Sequence, residues 1–499
     1  TAYAEGAESY FSHMGGSDGM KNREKNQPMR TQTDGACSRK RQMEGASGCP
    51  RILIAGTGSG CGKTTLTCGI LYGLLQRGLH PCACKCGPDY IDPMFHSRVL
   101  GVETGNLDSF FTDKETMRRL LAREKGDLCV IEGVMGYYDG CGFTEKGSAS
   151  EIAALTQTPV ILTVNARGMS RSVLAVLRGF LAAQTEQNIR GVIFNQLPAK
   201  LYPDIRREAE AMGVRALGYL PRIPGAAFES RKLGLIAPDE IQDFRKKLGL
   251  LYETMRETID WDGILALAKE APVFACIPEE KDGPDGRGVK IAVAKDEAFC
   301  FLYRDNLELL KALGCEILFF SPLREKEIPE GADALILNGG YPELHAAALE
   351  ANTAMRQAVS RAVKDGMPVI AECGGFMYLH ERLQGEDGKE YGMAGVLHGE
   401  CHKTSGLARF GYITMEAEKD NLLCPAGGTL KAHEFHYYDS TLLPDAFTAK
   451  KAGGSACWKA GVADKRMYAG FPHLYFYGNK EAAYAFARAA KEYGHRAGI

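Results

Sequence analysis

The first fifty residues contain no isoleucine, leucine or valine. Gly, Ser, Met and mixed charges fill the stretch, as in Thr31-Gln32-Thr33-Asp34-Gly35-Ala36. A segment without aliphatic surface cannot offset the entropy of ordering itself, so residues 1–50 are read as a disordered tail outside the fold. No apolar run reaches the eighteen or so residues of a membrane-spanning helix, and no signal-peptide pattern opens the chain. Lys and Arg total 60 against 62 Asp and Glu, a net charge of −2, so no global field recruits nucleic acid or an anionic membrane. The 16 cysteines follow no repeated framework, which points to reduced thiols and a cytoplasmic protein. Cys82, Cys84 and Cys86 alternate and can line one strand face, but no second Cys/His cluster at zinc-like spacing accompanies them. The expectation there is a buried strand of small side chains.

What the chain does have is α/β alternation over most of its 499 residues. From Ile52 to about residue 277, apolar runs (Leu128–Ile131, Val160–Val164, Val192–Phe194) alternate with helical stretches (Thr65–Arg77, Ser170–Gln184). That pattern predicts a parallel sheet covered on both faces. Residues 278–288, rich in charge, Pro and Gly, read as a linker. A second α/β unit over 289–499 starts at Val289–Ala294, continues through Ile317–Phe320, Leu335–Leu337 and Val369–Ala371, and becomes strand-rich after Met393, through Thr429–Tyr438 to the run ending at Tyr477.

Two signatures carry chemistry. Gly56–Thr65 (GTGSGCGKTT) lies between a strand and a helix. Its glycines Gly58, Gly60 and Gly62 let backbone N–H groups close round phosphates, Lys63 reaches the β/γ phosphates, and Thr64 offers a hydroxyl to Mg²⁺. The loop is one residue longer than the usual phosphate-binding loop. Acidic partners for Mg²⁺ belong at neighbouring strand ends, where Asp89 and Glu132 qualify; Asp92 and Asp139 either bind metal or hold loops. The second signature is Glu372-Cys373-Gly374-Gly375 after a strand, which fits a nucleophilic thiol on a tight turn with N–H groups free for an oxyanion. His433, His436 and His473 all sit in strand-like segments, and spacing alone does not choose the base among them. A nucleotide site and a cysteine nucleophile on one chain imply ATP-driven amide formation with nitrogen cut from glutamine.

GTGSGCGKTT, KCGPDYIDPMFH, EGVMGYYDG, NGGYPELH, AECGGFMYL and AHEFHY occur in an order that resembles the a,c-diamide branch of the cobyrinate/cobyric acid synthase amidotransferases, from about Arg51 to Gly478. The resemblance implies a dethiobiotin synthetase-like front domain (51–277) and a class I glutamine amidotransferase-like back domain (289–499). It also implies ATP-dependent amidation of the a and c carboxylates of a corrin through acyl phosphates, with Mg²⁺, ATP and glutamine, and no nucleic acid or membrane partner; an oligomer is compatible. Site by site, it gives Gly58, Gly60, Gly62, Lys63, Thr64, Thr65 and Asn195 to the nucleotide, Asn195 at the adenine edge. Lys85, Asp89, Tyr90, Ile91, Asp92 and Asp139 fall to the substrate, and Thr64, Asp89 and Glu132 to the metal. In the back domain, Cys373 is the nucleophile, with His473 as the base that lowers its pKa, and Gly339, Gly340 and Gly374 form the oxyanion hole. Three positions depart from the pattern: Tyr475 stands where other glutaminases place an orienting Glu, Asn338 where Pro is frequent, and Ala432 where Gly is usual. Alternative readings are hydrogenobyrinic acid or nickel-sirohydrochlorin as substrate, a cobyric acid synthase, or a non-catalytic P-loop ATPase partner. Intact Cys373 and His473 weigh against the last.

Overall fold

The computed structural model describes residues 46–47, 49–184, 188–225, 238–275 and 283–497. Most of the expected tail, residues 278–282 of the expected linker and the expected domain end at 277 lie outside the described residues. The last part of the expected tail belongs to the fold: Ala46–Ser47 pairs antiparallel with Phe274–Ala275, and Cys49 packs against the core. Backbone pairing recruits these few residues although they bring no aliphatic side chain.

The front half is a seven-stranded parallel sheet. Its spatial order is Thr104–Leu107, Pro81–Cys86, Leu128–Glu132, Arg51–Gly56, Val160–Asn165, Ile189–Asn195 and Arg215–Leu220. Central strands such as Ile52–Ala55 and Val130–Ile131 are fully buried, which is why they read as continuous apolar runs rather than alternating ones. Cys82, Cys84 and Cys86 are buried on such a strand, as expected.

The helix Lys63–Gln76 follows the central strand and buries Leu66, Ile70, Leu71 and Leu74. It ends where Gly78 takes φ 75° and the Leu79 N–H returns to the Leu74 carbonyl at 3.0 Å, a left-handed glycine stop. On its outer face the helix meets Pro238–Thr258 and Trp261–Ala268.

The back half has a parallel core of Glu316–Phe320, Lys290–Ala294, Ala334–Leu337, Val369–Glu372 and Met467–Gly470, closed by antiparallel Val462–Ala463. A five-stranded antiparallel sheet follows, ordered Cys457–Ala460, Phe447–Lys451, Arg409–Ala417, Thr429–His436 and His473–Leu474. The strand-like run expected to reach Tyr477 stops at Leu474, and Phe476–Gly478 form one helical turn.

The halves are joined by buried polar contacts. The Tyr475 hydroxyl bonds to Asp305 Oδ2 at 2.9 Å and to the Asn106 carbonyl at 3.2 Å, while Asp305 Oδ2 also accepts the Asn106 N–H at 3.0 Å. Tyr412 donates to Asp108 Oδ2 at 2.8 Å and stacks on Phe110. Tyr475, in the place of an orienting Glu, is thus spent on holding front to back. Asn338, in the place of Pro, donates to the Ala294 carbonyl at 2.7 Å and ties two adjacent strand ends. Ala432 is fully buried opposite Leu474.

Gly73 lies inside the Lys63–Gln76 helix, where alanine would ordinarily gain about 1 kcal/mol. A Cβ there would stand 2.1 Å from Trp261 Cη2, and the indole is buried. Gly73→Ala should therefore destabilise the protein by about 1–3 kcal/mol, the usual cost of overpacking. Urea midpoints of the two proteins check this; a stabilised variant would show that Trp261 can move aside freely.

Candidate functional site

Two centres lie at the ends of the two parallel sheets. In the front half the loop after Arg51–Gly56 turns through Gly60 at φ 73° and Gly62 at φ 101°, conformations that glycine adopts at no steric cost. A Cβ on Gly62 would also meet Asn195 Nδ2 at 2.1 Å. That amide donates to the Cys61 carbonyl at 2.9 Å, so this strand end braces the loop. Lys63 folds over its own loop, donating to the Gly58 carbonyl at 2.9 Å and to the Met135 carbonyl; burial pushes its pKa down. Gly58 is open around its Cα, and Thr65 continues the helix.

Behind the loop, Lys85 is buried among three carboxylates. Its Nζ lies 2.5 Å from Asp92, 3.0 Å from Glu132 and 3.7 Å from Asp89. Adjacent parallel strands pair Lys85 with Glu132 in register, and the turn Gly87–Asp92 brings the two aspartates back. Burial opposes the ammonium, but Asp92, Glu132 and Asp89 together hold Lys85 well above its usual range. Asp92 likewise overcomes burial through Lys85 and is held at about 2. Burial, then repulsion from Asp92, push Glu132 up to about 8 and Asp89 up to about 6. One ammonium thus faces three acids, and two of them resist ionisation.

Glu132 Oε1 also accepts the Thr64 hydroxyl at 2.7 Å, whereas buried Oε2 has no hydrogen-bond partner among the described residues. Thr64 and Glu132 therefore fit a hard divalent cation: a hydroxyl and a carboxylate in contact, an orphaned carboxylate oxygen, and excess negative charge nearby. Asp89 stands 3.7 Å from Lys85 Nζ, and its Oδ1 accepts the Ile91 N–H at 2.8 Å.

The other expected substrate residues separate. Ile91 packs into the apolar group of Cys68, Phe95, Val99 and Leu248, because the short helix starting there turns its side chain inward; only its backbone serves the turn. Asp139 accepts the Gly136 N–H at 2.8 Å and shapes its own loop, which touches Gly58. Tyr90 packs on the back half. Its ring centroid lies 4.3 Å from that of Tyr303, 5.4 Å from Phe301 and 5.2 Å from the His473 ring. His96 is a residue that sequence reasoning passed over. It is fully buried with Nε2 3.5 Å from Glu132 Oε2, and burial pushes it down to about 4, so it is neutral. Its place four residues after Asp92, within KCGPDYIDPMFH, was the available signal.

In the back half Cys373 has φ 47° and ψ −101°, a strained conformation for a residue with a side chain. It stands between Val369–Glu372 and the helical turn Gly374–Leu379. A Cβ on Gly339 would lie 2.5 Å from His473 Cε1 and 3.4 Å from Cys373 Cβ, and one on Gly374 would lie 2.9 Å from the Gly340 nitrogen. Cys373, His473, Gly339, Gly340 and Gly374 thus meet at one point where only glycine leaves room.

The three histidines now differ. His436 donates from Nδ1 to the Tyr438 carbonyl at 2.7 Å and stacks on Phe471. His433, paired with His473 across the sheet, is driven to about 3 by burial and then by His473. Among the described residues His473 Nδ1 has no hydrogen-bond partner and lies 3.6 Å from Glu372 Oε2. Glu372, fixed by the Leu474 N–H at 3.0 Å, stands where an orienting acid is needed, and it comes from the residue before the nucleophile. The expected lowering of the Cys373 pKa by His473 is not seen: burial, then repulsion from Glu343, push the thiol up.

Comparison with known proteins matches both halves. Residues 52–233 fit the CobQ/CobB/MinD/ParA nucleotide binding domain, and residues 290–481 the CobB/CobQ-like glutamine amidotransferase domain. The chain is 38% identical over 439 residues to the cobyrinate a,c-diamide synthase of Listeria monocytogenes serotype 4b (strain F2365), covering 86% of this chain and 97% of that protein. It is 36% identical to the protein of that name from Caldanaerobacter subterraneus subsp. tengcongensis, covering 90% of this chain and 100% of the relative. The counterpart from Dehalococcoides mccartyi is 37% identical, covering 89% and 98%.

A thiol raised by burial is protonated at neutral pH, so its thiolate fraction grows about tenfold per pH unit below its pKa. Alkylation of Cys373 by iodoacetamide, followed by peptide mass spectrometry, should therefore accelerate steadily between about pH 7 and 9. A flat rate over that range would show a thiolate already formed at rest.

Proposed function

Since the chain belongs to the cobyrinate a,c-diamide synthase family, a group of glutamine-hydrolysing, ATP-dependent amide ligases, we propose that it amidates the a and c side-chain carboxylates of cobyrinic acid in the cytoplasm. The observation that carries the two-centre reading is a single turn. Gly87–Asp92 presents Asp89 and Asp92 to Lys85 on one side and lays Tyr90 against His473 on the other.

At the front centre a substrate carboxylate oxygen attacks the γ-phosphorus of ATP, the bond to the ADP oxygen breaks, and an acyl phosphate forms. The N–H groups of the Gly56–Thr65 loop and Lys63 neutralise the phosphates, and Lys63 gives up its carbonyl contacts to do so. Lys85, held charged by its acids, steadies the carboxylate end. Thr64 and Glu132 would hold Mg²⁺, which offsets charge on the phosphates when bound.

At the back centre the Cys373 sulfur attacks the glutamine carboxamide while N–H groups at Gly340 and Gly374 receive the oxyanion. His473 takes the thiol proton and passes it to the departing ammonia, and Glu372 holds the imidazole. Water then releases glutamate from the thioester. Ammonia attacks the acyl phosphate and phosphate leaves, giving the amide. Tyr90 packs on His473 and belongs to the turn that presents Asp89 and Asp92 to Lys85.

We assign the macrocycle to a groove between the two halves. A cavity of about 590 Å³ is lined by Phe110 of the front half and by Thr414, Lys450, Lys451 and Gly453 of the back half. Phe110 stacks on Tyr412, whose hydroxyl approaches Gly87. An aromatic wall with two exposed ammonium groups suits a polycarboxylate macrocycle.

Cys373→Ser should lose more than 10²-fold of glutamine-dependent synthesis while high ammonium still yields the diamide, because only nitrogen supply is removed. Loss of ammonium-dependent synthesis in the folded variant would sink the two-centre reading. Lys450→Ala/Lys451→Ala should raise the KM for the tetrapyrrole several-fold and leave glutamine hydrolysis without tetrapyrrole unchanged. An unaltered KM would move the macrocycle elsewhere.

A further inference from the structure

Three cysteines that neither centre uses converge at the opposite end of the front sheet. Cys82 and Cys129 are the second residues of adjacent parallel strands and are partners in register, so their side chains share a face. Cys49 arrives from the segment before Arg51–Gly56; the next residue, Pro50, accepts the Cys129 N–H at 2.8 Å. The Cys49 and Cys82 sulfurs are 3.5 Å apart, and all three sulfurs lie within 4.8 Å of one another. Cys82 and Cys129 are buried, whereas Cys49 is half-buried and gives a route from solvent.

We propose that Cys49, Cys82 and Cys129 form a three-thiolate site for a soft d¹⁰ divalent cation of the zinc type.

Thiolates bind zinc at about 2.3 Å, which puts sulfurs sharing one tetrahedral ion about 3.8 Å apart. The observed spacing needs only small rotations of three side chains. The fourth position of the ion is left to water on the open, Cys49 side. Binding exchanges three S–H bonds for three metal–sulfur bonds, releases three protons to solvent and leaves a complex of net charge −1.

A counter-charge for that complex is already in place. Arg51 is 1% exposed. It donates to Thr158 Oγ1 at 3.1 Å and to the Thr156 carbonyl at 2.8 Å, with its guanidinium over the Phe274 ring. Among the described residues it has no carboxylate partner. A buried guanidinium without an acid is costly, and it acts electrostatically on Cys49 and Cys129. An anionic metal–thiolate group beside it offsets that cost. Three packed thiols without a metal leave Arg51 without this compensation.

The position also fixes what the ion does. The phosphate-binding loop leaves the far end of the same strand, after Gly56. From Arg51 to Gly56 the strand rises about 3.3 Å per residue, roughly 16 Å in all. An ion at the Cys49 end touches no reacting atom. It pins the chain entering the sheet to the two strands beside it, so its effect is on stability and not on turnover.

The test uses the full chain, reduced and stripped of metal, with Cd²⁺ as the spectroscopic probe and Zn²⁺ as competitor. The ultraviolet sulfur-to-cadmium charge-transfer band should saturate at one equivalent, disappear on adding Zn²⁺, and accompany a rise in thermal midpoint. Cys49→Ser, at the half-buried edge, should weaken Cd²⁺ binding by more than about tenfold, since losing a ligand costs at least as much as losing an outer partner. It should also abolish the thermal shift while glutamine hydrolysis stays at the wild-type rate. Cys129→Ser should behave alike, and Cys457→Ser, exposed elsewhere, should bind as the wild type does. A band that survives both Cys49→Ser and Cys129→Ser would place the metal at other thiols and overturn the site. So would wild-type protein with no band and no thermal shift, or a Cys49–Cys82 disulfide forming in preference to metal binding.

Discussion

One buried ammonium organises the front half. Lys85 stands on an inner strand with Asp89, Asp92 and Glu132 around it, and each acid brings a different piece of structure. Glu132 brings the neighbouring strand and, through Thr64, the first turn of the helix behind the phosphate loop. Asp92 and Asp89 bring the turn that carries Tyr90. Such a group is costly to bury unless every charge is matched, and here the match is incomplete by design of the residue count: three acids against one base. The Glu132 carboxyl oxygen left without a hydrogen bond among the described residues is what makes the centre receptive to a further cation, which would displace the proton that burial holds there, and neutral His96 behind it adds no competing positive charge.

The same turn carries the constraint across to the back half. Tyr90 cannot shift without disturbing its contacts to Tyr303, Phe301 and His473, and Asp92 cannot shift without exposing Lys85. The two centres are therefore neighbours mechanically as well as in space. The buried bonds among Tyr475, Asp305 and Asn106 fix the seam beside them.

Much of this was legible in the sequence because it is local. The alternation of apolar strands and helices, the glycine loop, the Lys63-Thr64 pair and the Glu372–Gly375 turn are all set by neighbours in the chain, and the structure places them as read. What was not legible depends on residues distant in sequence. No spacing rule brings Glu372 to His473, sends Tyr90 to the back half, or gathers Cys49, Cys82 and Cys129. The alternation of Cys82, Cys84 and Cys86 drew the eye along one strand, whereas the convergence runs across strands. Ile91 and Asp139 were assigned through their motifs, and the motifs did not say which side chains turn inward to an apolar group or fold back on their own loop. The tail was judged by its lack of aliphatic residues, a rule blind to backbone pairing.

That pairing has a consequence for how the front half is delimited. Ala46–Ser47, where the described chain enters it, lies beside Phe274–Ala275, just before the stretch that leads to the second sheet. Entrance and exit of the unit are thus zipped together by a short antiparallel ribbon. A module whose two ends meet can be inserted into a host protein, duplicated, or joined to a different donor domain without stretching either junction.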